Sequence, residues 1–230
     1  MTLVHKDSEG SVILIDKQLN WTSFDVVKKI RNFLKVKKVG HAGTLDPLAT
    51  GLLIICTGKK TKSINQYQEL EKEYTGTFEI GKTTPSVDLE TEFNSESDIS
   101  KIKKSDILEL TNVFKGAIKQ TPPAFSAIKI KGVRAYEKAR IGEKIIIKQR
   151  DAHIHNFEIT DISLPEIKFK LVCSKGFYVR SLVRDIGNSL KTGAYLKELR
   201  RTRIGDFKVE DAILVEEILN TTSDKKHENS

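Results

Sequence analysis

An α+β fold is what this sequence predicts, and three observations carry the prediction. Ile167, Phe169, Leu171 and Cys173 alternate with Lys168, Lys170 and Val172, the period of a half-buried strand. Val26, Val27, Ile30, Phe33 and Leu34 recur at helical spacing, with Lys28, Lys29, Arg31 and Lys35 filling the other positions. Residues 11–16 and 52–56 are short continuous apolar runs, which read as buried strands.

In chain order, the strand at 11–16 opens the fold. Thr22 and Asp25 stand at capping-box spacing, so the first helix starts there and turns a basic side outward. A glycine-rich stretch at 39–51 precedes the strand at 52–56. Thr57-Gly58-Lys59-Lys60 is not a phosphate-binding loop: Gly51 is too distant, and Lys60 stands where Ser or Thr is required. Residues 73–80 alternate, with Tyr74, Gly76, Phe78 and Ile80 on one face; the pattern alone makes Tyr74 an ordinary strand aromatic. Residues 81–98 are polar and read as a long loop. Ile107, Leu110, Val113 and Phe114 mark a helix after Ser105, and a basic insertion at 120–148 is entered through Pro122-Pro123. After the strand at 167–173, Gly176-Phe177-Tyr178 leads into a helix whose buried stripe is Val179, Leu182, Val183, Ile186 and Leu190. Residues 212–219 close the core with a short helix. Residues 221–230 hold no apolar side chain and read as a disordered tail; residues 1–10 read as a flexible start. No linker or repeat divides the rest, so one domain is expected over 11–220.

Charge is segregated along the chain. The formal net charge is +8, and residues 115–150 alone hold ten Lys/Arg against two acids. Residues 175–205 hold eight against two. Segregated positive charge suits a polyanion, most often nucleic acid, although a merely basic surface reads the same way. Arg180 and Arg184 lie four apart on one helix, where like charges repel unless an anion sits beside them. The longest apolar run is far too short to span a membrane, and the polar start lacks a signal-peptide core. Cys56 and Cys173 sit in strand-like runs and read as buried, reduced thiols; a reducing cytoplasm fits. No His, Cys or carboxylate cluster has metal-ligand spacing.

The chemistry centres on the stretch 40–51, Gly-His-Ala-Gly-Thr-Leu-Asp-Pro-Leu-Ala-Thr-Gly. Pro47 pushes Asp46 out of the α region, which places the carboxylate on a stiff loop. His41, five residues earlier, can share one cleft with it. Taken singly, Asp-Pro is more often a helix start and a lone histidine more often structural.

Together these stretches resemble the TruB-type tRNA pseudouridine synthases. The run at 40–51 matches that family's signature. Lys17 with Trp21-Thr22-Ser23, Lys72-Glu73-Tyr74, Cys173-Ser174-Lys175-Gly176 through Tyr178-Val179-Arg180, and Leu199-Arg200-Arg201-Thr202 match in the same order. The resemblance implies a mixed, mainly antiparallel sheet with flanking helices and a catalytic cleft. It implies isomerisation of uridine to pseudouridine at position 55 of the tRNA T loop, without metal or redox cofactor. Asp46 matches the nucleophile and Arg180 the arginine that pairs with it. Tyr74 matches the aromatic that stacks on the flipped base, Leu199 an apolar contact on that base, and Tyr178 a substrate-contacting tyrosine. His41 matches the histidine that fills the gap left by the extruded nucleotide, and Asp88 an acid of the RNA-contacting loop. The insertion at 120–148 resembles the thumb that closes on the T stem-loop. A monomer is expected. Gln18 departs from the family's proline after Lys17, which implies altered packing behind Tyr74. The short stretch after the Leu199 motif implies that the family's small C-terminal RNA-binding domain is absent or vestigial. The rival readings are an RNA-binding or tRNA-folding module, a two-carboxylate glycosidase using Asp46 and Asp88, and the same chemistry on another RNA.

Overall fold

The computed structural model describes residues 9–130, 132–143 and 145–220. The elements, in order, are β1 (Val12–Lys17), α1 (Ser23–Leu34), β2 (Val39–His41), β3 (Ala49–Thr57), α2 (Ile64–Glu69), β4 (Lys72–Ile80), β5 (Lys82–Thr83) and β6 (Ser95–Glu96). There follow α3 (Lys104–Val113), β7 (Gly116–Gln120), β8 (Lys129–Ile130), β9 (Val133–Arg134), α4 (Ala135–Arg140), β10 (Arg150–Ser163) and β11 (Glu166–Cys173). The chain ends with α5 (Val179–Leu190), β12 (Ala194–Ile204), β13 (Phe207–Lys208) and α6 (Val215–Asn220). The expected tail at 221–230 and all but the last two residues of the expected flexible start lie outside the described residues. Among the described residues no helix is long and apolar enough to cross a membrane. The chain forms two compact units, 1–74 with 199–230, and 75–198. It passes between them inside β4 and inside β12, not through a linker.

In the first unit β3 is the central strand. It runs antiparallel to β1, with Ile15 opposite Leu53 and Lys17 opposite Gly51, and antiparallel to β2, with His41 opposite Ile55. The β12 segment Leu199, Arg200, Arg201 runs parallel to Ala49, Thr50, Gly51. Both faces of β3 are covered, which explains its unbroken apolar run. Leu53 and Ile55 join Ile13, Ile15, the α1 stripe Val26, Val27, Ile30 and Leu34, and Val215 and Ile218 of α6. Leu52, Ile54 and Cys56 join Ala42, Ile204 and Val209 on the other face. Each such side chain contributes on the order of 2 kcal/mol by leaving water. The capping box at the start of α1 is formed, Asp25 N–H donating to Thr22 Oγ1 at 3.0 Å and Thr22 N–H to Asp25 Oδ2 at 2.9 Å.

In the second unit the strand order is β12-β4-β11-β10-β7. β10 and β11 form a long antiparallel hairpin with register shifts between Ile154 and Asn156 and between Ile159 and Asp161. Phe169 of β11 packs against Phe78 at 5.9 Å and Phe157 at 6.2 Å between ring centroids. α5 buries Val179, Leu182, Val183 and Ile186, as its stripe predicts, while Leu190 is only half-buried. The basic insertion folds as the β8–β9 hairpin followed by α4. The short helix expected over 212–219 is confined to Val215–Asn220, and two further expectations need adjustment. The helix expected after Ser105 begins at Lys104, because Asp106 accepts the Lys103 N–H at 2.8 Å and closes the first turn one residue earlier. The polar stretch 81–98 is not all loop: Lys82 and Thr83 pair with Glu96 and Ser95.

Candidate active site

The first unit holds Asp46, His41, Tyr74 and Leu199. Asp46 sits on the loop between β2 and β3, half-buried, and not at a helix start. Its carbonyl accepts the Ala49 N–H at 3.0 Å, a turn that feeds β3 directly. Three further sets of contacts hold the loop. Ser23 Oγ accepts the Leu45 N–H at 2.8 Å and donates to the Leu45 carbonyl at 3.1 Å. The Pro47 carbonyl accepts the Asn20 N–H at 2.9 Å and Lys17 Nζ at 3.4 Å. Arg201, 1% exposed, donates from Nε to the Leu52 carbonyl at 2.7 Å and from Nη2 to the Gly43 carbonyl at 3.2 Å. The carboxylate bearing backbone is therefore fixed before, at and after Asp46. Leu199 lies in register with Ala49, three residues beyond Asp46, which sets it beside the exit of the loop. Tyr74 is buried on β4, at the last residue of the first unit's leading segment. His41 is half-buried; burial pushes its imidazole down and the Arg201 charge adds to that, against a backbone hydrogen bond with Gly43. A neutral ring at physiological pH follows, the form suited to lying against a base.

Lys17 is fully buried, although its place in a motif assigns it no role of its own. Its Nζ donates to the carbonyls of Trp21 at 2.7 Å and Gln18 at 3.0 Å as well as Pro47. Burial drives its pKa from 10.5 down to about 8; the Asp46 charge opposes this and the Arg201 charge reinforces it. Because the folded value lies below the unfolded one, protonated Lys17 opposes folding below about pH 8, and that opposition fades as pH rises toward 10.5. Its attraction for Asp46 runs the other way and is lost as pH rises through about 8. Single-turnover rate should therefore show an alkaline limb centred near 8. Lys17→Met should be slower at pH 7 and lack that limb; a limb unchanged in the variant would remove Lys17 from the site.

Arg201 carries a second expectation. Arg201→Met strands the Leu52 and Gly43 carbonyls in a buried setting, a loss of about 3 kcal/mol. The melting temperature should drop by about 10 °C. The His41 pKa, followed by NMR, should rise once the neighbouring charge is gone. Both readouts unchanged would show that Arg201 holds nothing.

The second unit holds Asp88, Tyr178 and Arg180. Arg180, in the first turn of α5, is 3% exposed, which excludes a solvated arginine. It donates from Nη1 to the Ser86 carbonyl at 3.1 Å and from Nη2 to the Phe125 carbonyl at 2.8 Å, and Nη1 lies 3.4 Å from Asp88 Oδ2. Arg184 turns to Asp185 and to the Thr121 carbonyl, so each arginine of the pair has its own oxygens. Asp88 is buried, 5% exposed, at this ion pair and not on an open loop. Tyr178 caps α5 and is half-exposed, with the Arg150 guanidinium 4.9 Å from its ring centre. Gln120, which sequence reasoning missed, holds Tyr178 by both backbone groups: Oε1 accepts its N–H at 2.8 Å and Nε2 donates to its carbonyl at 2.9 Å. A glutamine just before Pro122-Pro123 in a basic stretch carries no pattern that would have singled it out. Both cysteines are buried and neither is in a disulfide, as expected.

Comparison with known proteins agrees with this arrangement of motifs. Residues 31–179 match the family described as TruB family pseudouridylate synthase, N-terminal domain. Residues 180–230 match the tRNA pseudouridylate synthase B C-terminal domain. The chain is 56% identical over 212 residues to tRNA pseudouridine synthase B of Flavobacterium johnsoniae, covering 89% of this chain and 93% of the relative. It is 50% identical to the protein of that name in Phocaeicola vulgatus, covering 90% and 91%. Its fold matches a chain in the crystal structure of a Cbf5-Nop10-Gar1 complex with a TM-score of 0.75 at 28% identity, covering 97% of this chain and 57% of that one. The chain belongs to the TruB family of pseudouridylate synthases.

Proposed function

We propose that this protein isomerises uridine to pseudouridine at position 55 in the T loop of tRNA, with Asp46 as the nucleophile. The observation that carries the reading is the Asp46 loop: the family's signature carboxylate, on a backbone clamped by Ser23, Lys17 and Arg201. The reaction neither adds nor removes atoms. The bond from C1′ to N1 of uracil breaks under attack by the carboxylate, the base turns, C1′ joins C5, and the proton lost at C5 is matched by one gained at N1. No metal or redox group is needed for that balance, and no group of three or more His, Cys, Asp or Glu placed to hold a metal is present among the described residues. In this reading Tyr74 stacks on the flipped base, Leu199 contacts it, and His41 fills the space it leaves. Unstacking costs a few kcal/mol and is offset by contacts in the pocket. Arg180 and Tyr178 contact substrate, and Asp88 acts through its ion pair with Arg180. The 120–148 insertion closes on the T stem-loop, and the protein acts as a cytoplasmic monomer.

The test is conversion of a T-arm hairpin and of whole tRNA by purified protein in buffer containing EDTA, with pseudouridine mapped by mass spectrometry. Modification of the T-loop uridine in both is expected. If the protein leaves tRNA untouched while modifying another RNA, the substrate is wrong; if chelator abolishes turnover and one metal restores it, the chemistry is wrong.

A further inference from the structure

Beside the Asp46 loop, but opening along α1, lies a groove of about 360 Å³ lined by Asn20, Trp21, Asp25, Lys28, Lys29 and Asn32. Residues 25, 28, 29 and 32 share one face of α1, with Asn20 and Trp21 just before its start, so the groove tracks the helix. Its walls combine three chemistries. Trp21 supplies an aromatic surface, packed on the first unit's core on its other side. Asn20 and Asn32 supply exposed carboxamides, and Lys28 and Lys29 two exposed ammonium groups. The one acid, Asp25, is engaged by the Thr22 N–H at 2.9 Å and by the Thr22 hydroxyl. Among the described residues neither lysine has a salt-bridge partner, and residues 26–45 carry six Lys/Arg and no acid. An aromatic face beside paired cations and amide groups fits one ligand chemistry, a planar base carrying a phosphate.

We infer that this groove is a nucleotide subsite, distinct from the pocket for the reacting uridine, and that it holds one unpaired nucleotide of the bound RNA. This rests on RNA being the substrate. The wall of the groove is also the wall of the catalytic loop: Asn20, in a left-handed conformation at φ 64°, donates its N–H to the Pro47 carbonyl, and the Trp21 carbonyl accepts Lys17 Nζ. A base seated against Trp21 therefore steadies the turn that carries Pro47, next to Asp46.

Trp21 is the only tryptophan in the chain, so its fluorescence reports on the wall that the groove shares with the Asp46 loop. The experiment titrates wild type and the Lys28→Glu/Lys29→Glu double variant with tRNA and with UMP and AMP, and measures single-turnover pseudouridine formation on the same samples. Wild-type fluorescence should be quenched by tRNA and unaffected by millimolar mononucleotide. The double variant should bind tRNA about tenfold more weakly, with a salt slope shallower by about one, yet reach the wild-type rate at saturation. Lys28→Gln/Lys29→Gln should fall between the two. Equal tRNA affinity and salt slope in wild type and double variant would overturn the subsite while leaving the catalytic reading intact. Quenching by mononucleotide as tight as by tRNA would assign the groove to a free nucleotide and overturn its place in RNA binding. Absence of pseudouridine in the wild type would instead refute the function on which the inference rests.

Discussion

Asp46→Asn is expected to end pseudouridine formation, lowering the single-turnover rate by about 10⁴-fold or more, on the scale seen when covalent catalysts lose their nucleophile. tRNA affinity should stay within about threefold, because phosphate contacts and not the reacting group dominate binding. The substitution suits the test because the loop is held through backbone atoms. The Asp46 carbonyl accepts from Ala49, and the neighbouring clamps act on Leu45, Pro47 and Gly43. Asparagine leaves each of these in place and removes only the charge. That charge also supports protonated Lys17, so the lysine pKa should fall below its value of about 8 in the variant. Turnover at the wild-type rate, with deamidation excluded by intact-mass measurement, would show that another residue attacks the sugar. Loss of binding in step with loss of rate would show that Asp46 positions RNA instead.

The second large effect concerns folding. Gly51→Ala should leave no cooperative melting transition near that of the wild type. Gly51 has φ +101°, and a Cβ there would lie 2.3 Å from the Arg201 carbonyl oxygen and 2.8 Å from the Arg201 nitrogen. Both are backbone atoms of the strand that pairs with it, so neither can swing aside. The cost exceeds about 4 kcal/mol, the range reserved for severe overpacking and strain. Gly116→Ala is the control. It also has a positive φ, +79°, but nothing lies within 4 Å of its added Cβ. Strain alone should cost it about 1 kcal/mol, a shift of about 3 °C in a chain of this size. Two variants that melt together would mean that the parallel register between β3 and β12 is misassigned.

What the sequence disclosed depended on whether pattern and contact coincide. β3 was legible because both of its faces are buried, and α1 because its stripe and capping box agree. β10 passed unnoticed: its two register shifts interrupt the two-residue alternation that marks a strand, and its exposed side chains are polar. β12 was hidden by its arginines. Arg201 looked like one more member of a basic surface, yet it is buried and holds two carbonyls of the loop that bears Asp46. The motif residues could be named before the fold was known. Their supports could not be assigned: Lys17 and Ser23 stood in the motifs without a role and Gln120 was passed over, because each acts on backbone groups that leave no trace in residue identity.

The first unit is assembled from two stretches of chain separated by residues 75–198. During synthesis at about 5–20 residues per second, that interval takes about 6–25 s to emerge. Through it the nascent protein already carries β1, α1, β2 and β3, and one face of β3 can close on α1. The opposite face, Leu52, Ile54 and Cys56, has Ala42 against it from the start but no Ile204 or Val209 to cover it until residues 199–209 emerge. A ribosome-bound chain thus presents an incompletely covered apolar patch directly after its signature stretch for many seconds. Such apolar surface makes an intermediate prone to aggregation until residues 199–209 arrive to cover it.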